Sequence, residues 1–96
     1  MGKLVKLDGR HNGHERFSHR FELGAYNAEL SKGFLRAREY LWNQFGPSCE
    51  LEWAHEAYFD DVKPKWSWVK NENRCYLYLS EEVLTQFLLV KDRWGI

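Results

Sequence analysis

The chain reads as a small α+β protein, an antiparallel sheet of three to four strands with two helices on one face. Three observations predict this. Apolar residues alternate in 16–23, 50–59 and the two halves of 65–79. They recur at spacings of three and four in 27–45 and from 80 onward. Gly, Pro and Asn separate these stretches. Strands and helices of this kind bury their apolar sides by gathering the helices on one face of the sheet. Ninety-six residues make one domain, 1–96, with no room for a second.

The first element is the least defined. Lys3-Leu4-Val5-Lys6-Leu7 has strand character, but Asp8-Gly9 and Asn12-Gly13 mark turns after it. Residues 1–15 therefore read either as a mobile basic arm or as a peripheral hairpin. From Arg16 to Leu23 the alternation is regular, with Phe17, His19, Phe21 and Leu23 on one side. A helix follows from Asn27, the expected N-cap, to Phe45. Leu30, Phe34, Ala37, Leu41 and Phe45 form its apolar stripe, while Glu29, Lys32, Arg36 and Glu39 face away. Gly46-Pro47 stops it, because Gly accepts the left-handed position after a helix and Pro cannot continue one.

Glu50 to Phe59 alternates again and carries Glu50, Glu52 and Glu56 on its outer side. Lys65–Lys70 and Arg74–Leu79 read as a hairpin around Asn71-Glu72-Asn73. Ser80 is the expected N-cap of the last helix, with Glu81 and Glu82 where the helix dipole favours acids. Val83, Leu84, Phe87, Leu88 and Trp94 line its inner side. The order is β-α-β-β-β-α, partly ferredoxin-like but without an evident strand after the second helix.

Composition narrows the function. Fourteen basic and fourteen acidic residues cancel, which argues against a general electrostatic DNA binder and against an acidic DNA mimic. The charge is nevertheless segregated. Residues 1–20 and 63–74 are basic, and 46–62 hold five acids with no Lys or Arg. No apolar run approaches the ~18 residues of a membrane span, and no leader-like segment opens the sequence. Two cysteines, Cys49 and Cys75, then suggest reduced thiols in a cytoplasmic protein.

Aromatic residues make up 17% of the chain, enough to place some of them at an interface. The hairpin is where they concentrate. If its loop is residues 71–73, Lys70 pairs with Arg74, Trp68 with Tyr76 and Trp66 with Tyr78. All four rings then share the face turned away from the helices, opposite Val69, Cys75, Leu77 and Leu79. One residue more or less in the loop reverses that relation. Cross-strand aromatic pairs stabilise any hairpin, by about 0.2–1 kcal/mol each. Four exposed rings together nonetheless exceed what a monomer usually presents to water. Trp66, Trp68, Tyr76 and Tyr78, rimmed by Lys70 and Arg74, are thus the candidate partner-binding residues.

Chemistry-bearing constellations are sparse. His11-x-x-His14 with His19 invites a metal, but a site needs further ligands held in fixed geometry, and a solvated arm suits this Gly-rich segment better. His55 sits among apolar residues, as a hydrogen-bonded core histidine would. Cys75 falls on the core face, where a thiol is inert. Asp60-Asp61 lacks the oxygen-rich loop a cation site requires. No phosphate-binding Gly loop or nucleophile elbow is present. The expectation is a non-enzymatic protein with no cofactor and no metal.

The stretch from Trp66 to Trp94, an aromatic strand pair leading through Ser80-Glu81-Glu82 to Arg93-Trp94, resembles the C-terminal half of small tailed-phage accessory proteins. His19-Arg20-Phe21-Glu22-Leu23 is similar too, so the resemblance covers about half the chain. It implies a phage protein of the host cytoplasm that binds a host or defence protein and inhibits it. Trp, Tyr and Arg are the usual hot-spot residues of such protein interfaces, including self-association. The alternative is a single-stranded RNA or DNA binder stacking bases on the same rings, with Lys63, Lys65, Lys70 and Arg74 supplying charge. A Gly-aromatic RNA-binding motif is missing, and the neighbouring glutamates would repel phosphates.

Overall fold

Among the described residues, four strands form one antiparallel sheet: β1 (Lys3–Lys6), β2 (His19–Glu22), β3 (Trp66–Lys70) and β4 (Cys75–Leu79), in the order β1-β2-β4-β3. Helix α1 (Ala28–Phe45) comes after β2 in the chain, and α2 (Glu81–Val90) follows β4 and runs into a 3-10 turn, Lys91–Trp94. This computed structural model describes residues 2–11, 14, 16–23, 28–48, 64–70 and 75–94. The strand expected at 50–59 lies outside the described residues, and so do Cys49, His55 and Arg74. The fold is α+β.

Both helices press on the same face of the sheet. Phe34, Ala37 and Leu41 of α1 meet Val83 and Phe87 of α2 over Phe21, Leu23, Trp66, Cys75, Leu77 and Leu79. All eleven are 2% exposed or less. The three-and-four spacing read in α1 is thus its buried stripe, and Lys32, Arg36 and Glu39 face solvent as the pattern requires. A second, smaller cluster lies on the far face, where Leu7, Phe17 and Tyr78 pack with Val69 and Tyr76. Phe17 therefore departs from the alternation that placed it with Phe21. Regular pairing in β2 begins at His19, and Ser18, just before it, hydrogen-bonds through its N–H to the Leu79 carbonyl (3.1 Å).

Residues 3–6 settle as a strand. β1 pairs with β2 in the register Lys3–Glu22 to Lys6–His19. It occupies one edge of the sheet, four residues long with a lysine at each end. β4 lies between β2 and β3, so among the described residues the succession β2-α1-β3-β4-α2 is consistent with a split β-α-β arrangement without its last strand. The position beside β2 that a strand after α2 would fill is taken by β1. This is consistent with a partly ferredoxin-like sheet.

The helix ends follow the sequence signals. Gly46 takes φ +96°, and its N–H bonds the Trp42 carbonyl at 3.0 Å, the left-handed stop that a β-carbon would strain. Ser80 occupies the N-cap position of α2 in extended conformation. Its carbonyl accepts from Val83 and Leu84, while its hydroxyl makes no cap hydrogen bond.

Candidate protein-binding surface

The register of the β3–β4 hairpin decides where the aromatic rings go. Lys70 pairs with Cys75, Val69 with Tyr76, Trp68 with Leu77, Ser67 with Tyr78 and Trp66 with Leu79. Four residues, 71–74, connect the strands rather than three. Since side chains alternate with period two, that one extra residue turns β3 over relative to the expected pairing. Trp66 and Trp68 join Leu77, Leu79 and Cys75 on the helix side, and Tyr76 and Tyr78 lie on the far side with Ser67 and Val69. The expected four-ring face is thereby corrected to two pairs on opposite faces. Lys70 stands exposed at the end of β3.

On the far face, Arg20 ties the tyrosines together. It lies opposite Tyr78 in the β2–β4 register, and Glu22 lies opposite Tyr76. The Arg20 guanidinium sits 4.6 Å from the centre of the Tyr76 ring and donates to Glu22 Oε2 from Nε at 2.7 Å. Tyr78 also interacts electrostatically with this guanidinium. Burial works against the Arg20 charge, but Tyr78 and Glu22 outweigh it and raise its pKa. The Tyr78 hydroxyl is pushed up by burial, against the pull of Arg20. Tyr78 is 3% exposed, so it is a structural ring and presents no contact surface.

On the helix side the two tryptophans serve differently. Trp66 is 1% exposed and donates from Nε1 to the Gly46 carbonyl at 2.9 Å. Ser48 Oγ donates to the Trp66 carbonyl, so the end of α1 is fastened to β3 from both sides. Trp68 is half-buried beneath the Arg38 guanidinium, 3.7 Å from its ring centre, and meets Phe34 edge-on at 6.4 Å. A cation over an indole face contributes about 0.5–2 kcal/mol, more as water is excluded.

Beside this pair lies an exposed apolar surface on α1. Leu35 and Trp42, seven residues apart on α1, are 50% and 51% exposed. With Arg38, Glu39 and Asn43 they line a shallow groove of about 220 Å³ that reaches Trp66. An exposed Trp beside an exposed Leu, rimmed by one cation and one anion, is the composition of an interface centre. The signal was present in the sequence. Leu35 and Trp42 are the large apolar residues of α1 that fall off its buried stripe, one above the other at i and i+7.

Of the candidate catalytic and metal groups, Cys75, His11 and His14 are among the described residues. Cys75 is fully buried, and burial pushes its thiol pKa up, away from the nucleophilic thiolate. His11 Nδ1 accepts the Asp8 backbone N–H at 3.1 Å, and His14 Nδ1 lies 2.9 Å from the His11 carbonyl. Both rings thus close a local turn that Asp8 organises. The Arg10 guanidinium and backbone N–H hold the Asp8 carboxyl well below the usual carboxylate range. Among the described residues, no three His, Cys, Asp or Glu side chains gather as a metal site, and no helix is long and apolar enough to cross a membrane. Comparison with protein-family models, with curated proteins and with solved structures gives no match.

Proposed function

We propose that this protein acts by binding another protein, with the outer side of α1 as the contact surface and Trp42 at its centre. The observation that carries this reading is the half-exposed Trp42–Leu35 pair over the groove that reaches Trp66. A rigid floor matters here. Trp66 is fixed by two hydrogen bonds and Arg38 is stacked on Trp68, so little side-chain freedom is lost when a partner docks. The reading keeps the role implied by the likeness to phage accessory proteins, inhibition of a host or defence protein without catalysis. It moves the contact from the hairpin rings to the helix. Base stacking has less support, because Trp66 and Tyr78 are buried and the remaining rings lie on opposite faces.

The test is affinity capture from cells that make the protein, wild type beside Trp42→Ala, with circular dichroism showing both folded. A protein retained by wild type and lost with Trp42→Ala supports the reading. The expected loss is at least 2 kcal/mol, about thirtyfold in affinity, as for a central interface tryptophan. Equal retention by both would remove α1 as the contact surface.

A further inference from the structure

β3 lies at the edge of the sheet opposite β1, and among the described residues it has a neighbouring strand, β4, on one side only. The hydrogen bonding decides what its other side presents. The Ser80 N–H donates to the Lys65 carbonyl at 3.1 Å, which makes these two a hydrogen-bonded pair. Such pairs recur at every second residue, so Ser67–Tyr78 and Val69–Tyr76 are the next ones along the register. The backbone groups of Trp66 and Trp68 therefore point away from β4, out of the sheet edge. Ser48 Oγ donates to the Trp66 carbonyl from that side. The Trp68 N–H and carbonyl face the same way. α1 lies beside them, because Arg38 sits 3.7 Å over the Trp68 ring and the groove lined by Leu35, Arg38 and Trp42 descends to Trp66. A backbone donor and acceptor thus stand next to an apolar recess.

We infer that the occupant of the α1 groove is an extended segment of the partner protein, added antiparallel to β3 as a further strand. The inference rests on the reading of α1 as a binding surface and names the form of what binds there. The residue opposite Trp68 accepts the Trp68 N–H and donates its own N–H to the Trp68 carbonyl. Residues opposite one another share a face of the sheet, so the side chain of this residue lies with Trp68 on the helix side. There it meets Leu35 and Trp42, and a large apolar side chain fits best. Its two neighbours in the segment point to the far face, which leaves selection to alternate positions. A helix docked on α1 would use Leu35 and Trp42 but leave the outward groups of Trp68 unused. An added strand uses both. The Ser48 hydroxyl on the Trp66 carbonyl bounds the pairing at that end, so the segment is short.

Random peptides of about ten residues, displayed on phage, supply the probe. They are selected on the full chain and counter-selected on Trp42→Ala. Leu35→Glu, which takes no part in the selection, should weaken the selected peptides by about tenfold or more. Both residues are half-exposed, so thermal melts should show the variants folded. Residue-resolved amide hydrogen exchange of the full chain, alone and with a synthetic copy of a selected peptide, then separates strand from helix. The Trp68 N–H should slow by about a hundredfold or more in the complex. Those of Ser67 and Val69, already paired with Tyr78 and Tyr76, should change far less. Peptides that need Trp42 but leave Trp68 exchange unaltered would overturn the added strand while α1 stands as the contact surface. Peptides indifferent to Leu35→Glu, or a library without any Trp42-dependent binder, would also overturn the inference. Affinity capture then decides separately whether α1 binds a folded partner. If the Trp68 N–H is slow in the protein alone and quickens on dilution, a second copy holds the edge and the inference falls.

Discussion

Tyr78 shows how one side chain couples a polar group to a buried sheet face. Its ring packs on Phe17 with centres 6.1 Å apart, and its hydroxyl feels the charge of Arg20. Because burial raises the phenol pKa, the neutral form is the one the fold holds. A group whose pKa is raised by folding stabilises fully below its unfolded value. That stability is lost as pH rises through the folded value. Unfolding free energy should therefore fall above pH ~10, where an unfolded tyrosine ionises. Absorbance at 295 nm should show one tyrosine titrating late. Tyr78→Phe should remove that part of the alkaline loss. An unchanged alkaline profile would show that Tyr78 does not carry it.

At the level of elements, the end of α1 is the joint on which the groove depends. Gly46 has open space around it, so a larger residue meets no neighbour there, only the backbone strain of φ +96°. Gly46→Ala should cost about 1–2 kcal/mol by that strain alone, and Gly46→Asn less, because Asn tolerates the left-handed region better. Denaturant unfolding of the two variants measures the difference; equal costs would show that left-handed strain is not what sets them. The Gly46 carbonyl also receives the Trp66 indole, so a shifted helix end should loosen the groove floor.

This helix was legible from its sequence because Phe34, Ala37, Leu41 and Gly46 each state the same thing about the same element. The hairpin was legible as a hairpin, and residues 75, 77 and 79 were placed on the correct face. The face of β3 was not, since it hangs on a single residue of loop length that Asn71-Glu72-Asn73-Arg74 does not specify. The candidate surface was missed for a related reason. Aromatic density drew attention to the strands, while Trp42 and Leu35 stood out only after the buried stripe of α1 had been subtracted.

For the molecule as a whole, the aromatic residues divide into those that hold it together and those it presents. Phe87 bridges the layers, 5.2 Å from the Phe21 ring and 6.3 Å from Trp94 between ring centres, and it is fully buried. Phe87→Ala should cost about 3–5 kcal/mol, a large share of the 5–15 kcal/mol typical of a domain. Trp42→Ala, although it deletes a larger ring, should stay within about 0.5 kcal/mol, as for a surface position. Thermal unfolding of the two variants side by side separates the roles, and a strongly destabilised Trp42→Ala would mean that this ring belongs to the core. The sheet has its own bearing on how copies meet. β1 closes one edge with Lys3 and Lys6 at its ends. A second β1 arriving alongside would bring ammonium groups against ammonium groups over a run of only four residues. Growth into fibres through that edge is therefore disfavoured even in concentrated solution.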